Sequence, residues 1–431
     1  MVLAARLVLA LAVIVVVARL LGALARRAGQ PPVIGEILGG VLLGPTLFGG
    51  AVTGALFPGE VLPPLKTLAS IGACLFMFLV GLELNGDLLR GQARIATTVS
   101  LSAMLLPFGL GSLLALYLVT NHPTEHRLGF VLFLGTAMSV TAFPVLARIL
   151  TDRGLIYTPI GGLALACAAV DDVLAWSMLA VVVALAGDGD SPWRVLLVVP
   201  YAAVMLGVVR PLLSRLAART AGTGRLAGAG VLVAVSAGLV LSAQATEWMG
   251  SHLIFGAFLF GMAMPERGAP ALREHALPWI ERVCALLLLP VFFVVAGIKV
   301  DLSATDVTAL GELALILLVA IGGKFGGGLL AARASGVRLR ESAVLAILIN
   351  TRGLTELIVL TVGLQLAVLD PPLYSLMVVM ALVTTAMTGA LLRLVYRDEQ
   401  VRADTSGHGR AAASGTALFR PADTYRKEPT P

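Results

Sequence analysis

Two adjacent acids, Asp171 and Asp172, stand in "LALACAAVDDVLAWSMLAVVV", a run with no other charged residue. An ionised carboxylate at membrane depth costs several kcal/mol unless it meets a cation, a proton or water. A pair so placed can trade a proton for a metal ion; the blander use is a salt bridge that only ties helices together. Lysine is scarce in the chain, which has Lys66, Lys299, Lys324 and Lys427. Lys324 sits in "AIGGKFGGGLL", where glycines permit close approach of a neighbouring helix, so it is the expected partner of Asp171. Lys299 is the rival, at a span end where its stem can snorkel to water, with Asp301 close by in sequence. A third set lies in "GTAMSVTAFPVLARIL" and "LINTRGLTELIVL". Pro144, preceded by Ser139 and Thr141, removes one amide donor and frees carbonyls a turn back. Alone it could be an ordinary kink. Thr351, Arg352, Gly353 and Glu356 interrupt the second stretch. Broken helices are tolerated at membrane depth where they line a cavity, and their free ends suit ions. Arg352 and Glu356 are four apart and are expected to form an internal ion pair before serving as ligands.

The elements that must hold these groups are apolar helices. Of 431 residues, 58% are hydrophobic and 13% charged, about half the charge of a soluble protein. The mean hydropathy is +0.94. Thirteen apolar stretches lie near 3–25, 32–49, 62–83, 95–119, 128–150, 157–186, 195–214, 226–246, 250–265, 277–299, 308–332, 341–366 and 372–394. Many reach the length that crosses a bilayer as a helix, and the short alternating strands of a membrane barrel are missing. Arginines gather in alternate loops, at Arg26 and Arg27, Arg90 and Arg94, Arg148 and Arg153, Arg215, Arg219 and Arg225, Arg267 and Arg273, and Arg333, Arg338 and Arg340. This bias predicts an external amino terminus and a cytoplasmic carboxyl terminus, as an odd span count requires.

The sequence also repeats. "FLVGLELN" (78–85) matches "VVAGIKVD" (294–301), with Gly81 over Gly297 and Asn85 over Asp301. "GEILGGVLLGP" aligns with "SHLIFGAFLFGMAMP", placing Gly39 over Gly256 and Gly44 over Gly261. The copies lie seven spans apart, an odd number, so they face opposite ways across the bilayer, as in secondary transporters. The expectation is an all-α polytopic membrane protein of about thirteen transmembrane helices. Its transmembrane domain would span 1–397, with a first repeat over about 1–190, a linking helix at about 195–214 and a second repeat over about 225–397. The tail, 398–431, is polar and expected to be disordered.

Several function classes fall away. The net charge of +6 is spread between spans, which fits an anionic membrane surface and not nucleic acid. Cys74, Cys167 and Cys284 sit in apolar runs without metal-ligand spacing, so neither a disulfide nor a cofactor is expected. The first stretch is followed by Arg26 and Arg27 instead of a cleavage site, and is expected to be a span. The histidines, His122, His126, His252, His275 and His408, are scattered, with no nucleophile and base arrangement, so an enzyme is not expected. His252 is read as a cap or packing residue ahead of a pH-responsive one.

The stretches "QPPVIGEILGGVLLGPTLFG", "FLVGLEL", "SVTAFPVLARIL", "AAVDDVLAW", "GSHLIFGAFLFG" and "NTRGLTELIVL" resemble the monovalent cation/proton antiporters. The likeness is to the Kef-type and sodium/proton exchanger branch, and is similar to the bacterial and plant cation/proton exchangers. The resemblance implies exchange of Na⁺ or K⁺ for H⁺ by alternating access in the cytoplasmic membrane. It implies a core domain moving as an elevator against a dimerisation domain, within a lipid-embedded homodimer. It also implies that Asp172 carries the ion and proton, and that paired aspartates with a membrane lysine accompany electrogenic exchange. Asp172 is then expected to bind the dehydrated cation with help from Ser139 and Thr141, while Asp171 pairs with Lys324 in the absence of the ion. A channel-like K⁺ efflux route and export of an organic cation are the alternatives. Ligand gating through a tail domain is not expected.

Overall fold

The computed structural model describes residues 2–83, 93–155, 158–186, 194, 197–220, 225–250, 252–265, 277–303 and 305–395. The tail, together with Asn85, Arg90, Arg267, Arg273, His275 and His408, lies outside the described residues. Among those described, every regular element is a helix.

In chain order the helices open with α1 (Val2–Arg27), α2 (Pro32–Leu43), α3 (Ala51–Leu56), α4 (Leu62–Glu83) and α5 (Ala93–Leu118). Next come α6 (Arg127–Ser139), α7 (Phe143–Asp152) and α8 (Pro159–Ala186). After them lie α9 (Val198–Val204), α10 (Arg210–Thr220), α11 (Arg225–Trp248) and α12 (Leu253–Ala263). The last are α13 (Leu277–Val283), α14 (Leu289–Ile298), α15 (Val307–Ala334), α16 (Leu339–Ile349), α17 (Leu354–Gln365) and α18 (Pro371–Val395). Helices α9 and α10 join through a π turn at Met205–Val209, and α13 and α14 through another at Cys284–Leu288. Pro211 and Pro290 each stand two residues past the end of these turns. Each proline lacks an amide and its ring displaces the carbonyl four residues back, which falls inside the widened turn.

Each apolar stretch of the sequence is occupied by a helix or helix pair, but not all are long enough to cross a membrane alone. Nine described helical runs have the length and composition to do so, or ten if α16 and α17, bent by 43°, count as one span. Helices α2 and α12 have 12 and 11 residues, roughly 18 Å of rise against about 30 Å of hydrocarbon. Pro31 and Pro32 delay the start of α2, and the Gly44–Pro45 step ends it. Large apolar side chains such as Val8, Val199, Leu241 and Leu318 are exposed on the bundle's outside, as suits a lipid-facing surface. The protein is a multi-pass membrane protein.

Glycine sets the tightest crossings. A Cβ on Gly40 of α2 would lie 2.3 Å from the Val294 carbonyl and 2.7 Å from Gly297 Cα of α14. A Cβ on Gly81 of α4 would lie 2.3 Å from the Phe258 carbonyl and 3.0 Å from Gly261 Cα of α12. One short helix of each sequence copy (α2, α12) therefore packs on the following span of the other copy (α14, α4), glycine against glycine. Three further glycines seat α15. Gly323 faces Pro107 and Gly327 faces the Ser102 carbonyl, both on α5, while Gly328 faces Ile349 of α16.

One polar cluster ties loop ends together. His122, after α5, sits between Asp370, at 2.6 Å from Nδ1, and Glu312 of α15, at 3.0 Å from Nε2. Asn121 donates to the same glutamate at 2.7 Å. Asp370 also caps α18 by accepting the Leu373 amide at 2.8 Å.

Candidate ion site

Helix α6 stops at Ser139 and α7 begins at Phe143, with Val140 and Ala142 extended between them. Pro144 occupies the first turn of α7, where its missing amide costs no hydrogen bond. The chain is thus broken, not merely kinked. Helix α16 stops at Ile349 and α17 begins at Leu354. The two extended segments cross: the Ala142 amide donates to the Thr351 carbonyl at 3.0 Å. The approach is close because position 353 has no side chain; a Cβ there would lie 2.4 Å from Val145.

A broken helix leaves unpaired carbonyls at one end and unpaired amides at the other. Cations of the protein take the carbonyl ends. The Ala137 and Met138 carbonyls of α6 accept from Arg352, and the Ser139 carbonyl accepts from Lys324. Arg352 also pairs with Glu356, both being fully buried. The Arg352 amide and carbonyl are both engaged by the Thr385 hydroxyl of α18. The carbonyls expected to meet a transported ion are therefore already occupied.

The two acids occupy different surroundings. Asp171 accepts from Lys324 at 3.1 Å, from the Thr141 hydroxyl at 2.6 Å, and from the Ser100 hydroxyl of α5. Lys299 is not at this site; it lies at the end of α14, in a cavity with Lys66. Asp172 is fully buried, and neither of its oxygens has a hydrogen-bond partner. Its carboxylate is near the Phe143 amide at the start of α7 and the Thr355 hydroxyl of α17, without hydrogen-bond geometry to either. Further buried polar atoms without partners are clustered along the second break: both side-chain atoms of Asn350, the Thr351 and Thr355 hydroxyls and Glu356 Oε1.

The structure brings Asp171, Lys324, Thr141 and the Ser139 backbone together, and pairs Arg352 with Glu356. It does not set Ser139 or Thr141 on Asp172. Thr141 turns to Asp171 and to the Ile349 carbonyl, and the Ser139 hydroxyl donates to Thr136 within its own helix. The reason is rotational: neighbours on a helix point about 100° apart, and Asp171 is the one facing α5, α15 and Thr141. Ser100, Asn350, Thr355 and Thr385 are additions that the sequence reading missed. Asn350 stands next to Thr351 and Thr355 next to Glu356, within the stretch already singled out, and that adjacency was the available signal. His252 caps α12 by accepting the Ile254 amide.

Buried charges around two crossing broken helices define the class, a secondary transporter. The family described as "Sodium/hydrogen exchanger, transmembrane" matches residues 12–397, and the chain belongs to it. It is 40% identical over 395 residues to the Na(+)/H(+) antiporter NhaS4 of Synechocystis, covering 89% of this chain and 95% of that protein. It is 37% identical to Cation/H(+) antiporter 20 of Arabidopsis thaliana and 32% identical to K(+)/H(+) antiporter 1 of Saccharomyces cerevisiae. These matches cover 90% and 86% of this chain but only 48% and 44% of those longer relatives. The fold is shared with the sodium proton antiporter MjNhaP1 from Methanocaldococcus jannaschii, at a TM-score of 0.63 and 17% identity, over 92% of this chain and 99% of that one.

Proposed function

We propose that the protein is a secondary antiporter that exchanges Na⁺ or K⁺ for protons across the cytoplasmic membrane. The observation carrying this reading is Asp172, a fully buried carboxylate with no hydrogen-bond partner, beside a paired aspartate and lysine. Such a group is stable when it holds a proton or a dehydrated cation, and it cannot hold both. The unpartnered oxygens of Asn350, Thr351 and Thr355 are the remaining candidate ligands at the second break. Asp171 and Lys324 form the second half of the device. Cation binding at Asp172 displaces the proton held there and weakens the neighbouring pair, so that Lys324 releases a second proton; reprotonation of both groups from the opposite side restores the start. Two protons exchanged for one monovalent cation move a net charge, so this cycle is electrogenic. The sodium- and potassium-named relatives support a monovalent cation and leave both open as substrates.

Alternating access would come from movement of the helices around the breaks, α5 to α8 and α15 to α18, against α1, α2, α4, α12 and α14, as an elevator within a homodimer. The glycine crossings of α2 with α14 and α4 with α12 support the second group as one packed unit. The arginine bias supports an external amino terminus. The test is proton release from energised proteoliposomes on addition of Na⁺, K⁺ or Li⁺. The wild type is expected to respond to at least one of them and Asp172→Asn to none. Undiminished exchange by Asp172→Asn would remove the ion-site assignment.

A further inference from the structure

A cavity of about 360 Å³ opens where α4 and α12 begin and α14 and α17 end. Its volume is in the range that holds small ligands. Its walls carry Lys66 of α4, Lys299 at the end of α14, His252 at the cap of α12, and Gln365 and Thr361 of α17. No acid lines it. Of the acids near its lining residues in sequence, Asp301 accepts from the Ser303 amide and hydroxyl, Glu60 lies 3.9 Å from Arg6 and Asp370 pairs with His122, while Glu247, at the end of α11, stands near Cys74 of α4 but does not line the cavity. Neither lysine has a salt bridge among the described residues. Two like charges facing one half-enclosed space without a counter-charge are an incomplete arrangement.

We propose that this cavity binds a phosphate-class anion, either free phosphate or the phosphodiester of a lipid headgroup, between Lys66 and Lys299. Lysines serve such groups as point charges, and Gln365 and Ser70 supply uncharged donors at the wall. The groups facing Lys299 are few. Lys66 comes from α4 and His252 from the α12 cap, while α17 offers only the uncharged Thr361 and Gln365. Tyr374 and Ser375 of α18 are spent on the Ala296 carbonyl and the Asp301 amide. Burial, reinforced by the Lys66 charge, lowers the Lys299 ammonium to about 8. Anion binding would reverse that effect, so the anion and a proton are taken up together. The occupant would touch α17, the helix that starts at the second break, and α4, α12 and α14 opposite it. Its bearing on exchange rests on the reading above; its binding does not.

The test uses the purified full-length protein in nanodiscs of phosphatidylcholine. Inorganic phosphate is titrated calorimetrically, and phosphatidylglycerol binding is counted by native mass spectrometry. Saturable binding of phosphate, or of phosphatidylglycerol alone, supports the site and assigns its source. The affinity is expected to fall at least tenfold in the Lys66→Gln/Lys299→Gln double variant. In the wild type it falls as pH rises through about 8, whereas Lys299→Arg keeps binding at higher pH because its charge does not titrate there. Binding of neither probe, wild-type affinity in the double variant, or the same alkaline loss in Lys299→Arg overturns the proposal. Since binding needs no turnover, a wild type that binds phosphate but exchanges no cation would sink the antiport reading and leave the anion site standing.

Discussion

Removing Lys324 should cost more than the loss of an ordinary contact. Its Nζ lies 3.1 Å from Asp171 Oδ2, with both side chains fully buried. At that distance the attraction is about 5 kcal/mol with an effective dielectric constant of about 20. Desolvation offsets much of this in the intact pair, so the pair itself contributes little net stability. Breaking it is different, because the remaining partner keeps its desolvation cost and loses its compensation, typically about 3–5 kcal/mol. The two single variants should not be equal. In Lys324→Met, Asp171 retains the Thr141 and Ser100 hydroxyls, which places the loss near the low end, about 3 kcal/mol. In Asp171→Ala, Lys324 retains only the Ser139 carbonyl, which places it near about 5 kcal/mol. The double variant Asp171→Ala/Lys324→Met leaves no charge stranded and should recover at least half of the larger loss. The assay is thermal unfolding of the detergent-purified protein, followed by the loss of the monodisperse peak in size-exclusion chromatography. Losses that simply add in the double variant would refute the argument, because they would mean that the two groups do not compensate one another.

Asp171→Asn should retain part of the cation exchange while changing its dependence on membrane voltage, measured in proteoliposomes with an imposed potential. Lys324→Ala should shift the pH profile of exchange, and an unchanged profile would separate this lysine from the proton cycle. Gly81→Ala places a methyl 2.3 Å from the Phe258 carbonyl, and should cost at least the roughly 1–3 kcal/mol of an overpacked core. Gly311→Ala, where nothing lies within 4 Å, should be neutral or stabilising in the same melting assay. The His122 cluster predicts a pH-dependent contribution. Burial opposes the His122 charge, but hydrogen bonds to Asp370 and Glu312 outweigh it and raise the histidine above 6.5. Burial likewise opposes the Asp370 charge, but the His122 contact and the Leu373 amide hold Asp370 below 3.8. The histidine's contribution is complete below about 6.5 and is lost as pH rises through its higher folded value; the aspartate's is lost as pH falls through its lower one. His122→Gln should therefore melt well below the wild type at pH 5.5, with the gap narrowing by pH 9.

The sequence made the charged centre legible because charge is conspicuous in apolar helices. Asp171, Asp172 and Lys324 could be named from that alone, and Pro144 with the "NTRG" stretch marked both breaks. What it could not give was the direction in which each side chain points. Whether Thr141 serves Asp171 or Asp172 depends on how α8 is rotated against α6, and no local pattern records that angle. Ser100 was invisible for a related reason: "TTVSLSAMLLP" holds several hydroxyls, and only the packing of α5 on α8 selects one. His122, Glu312 and Asp370 come from three separate parts of the chain, each unremarkable by itself. The span count is also set by three dimensions, because α2 and α12 are apolar enough to be marked but too short to cross unaided.

The division between the adjacent acids follows from helical geometry acting on a crowded crossing. One residue of advance along α8 turns the side chain by about 100°. Asp171 thereby meets α5, α15 and the first break, and collects an ammonium and two hydroxyls. Asp172 meets the start of α7 and the first turn of α17, where the nearest polar groups are an amide and a hydroxyl, neither bonded to it. A carboxylate that is fully paired has no reason to bind a mobile ion, whereas an unpaired one beside helix amino termini does. The paired acid keeps the unpaired one from collapsing onto Lys324, since the lysine's reach is already spent on Asp171 and the Ser139 carbonyl. Exchanging the order of the two environments, by making Asp171 the unpartnered acid, would place the open carboxylate against Lys324 and neutralise the site. In the proposed cycle the order of the pair along the helix therefore decides which of the two carboxylates is left open to a mobile ion.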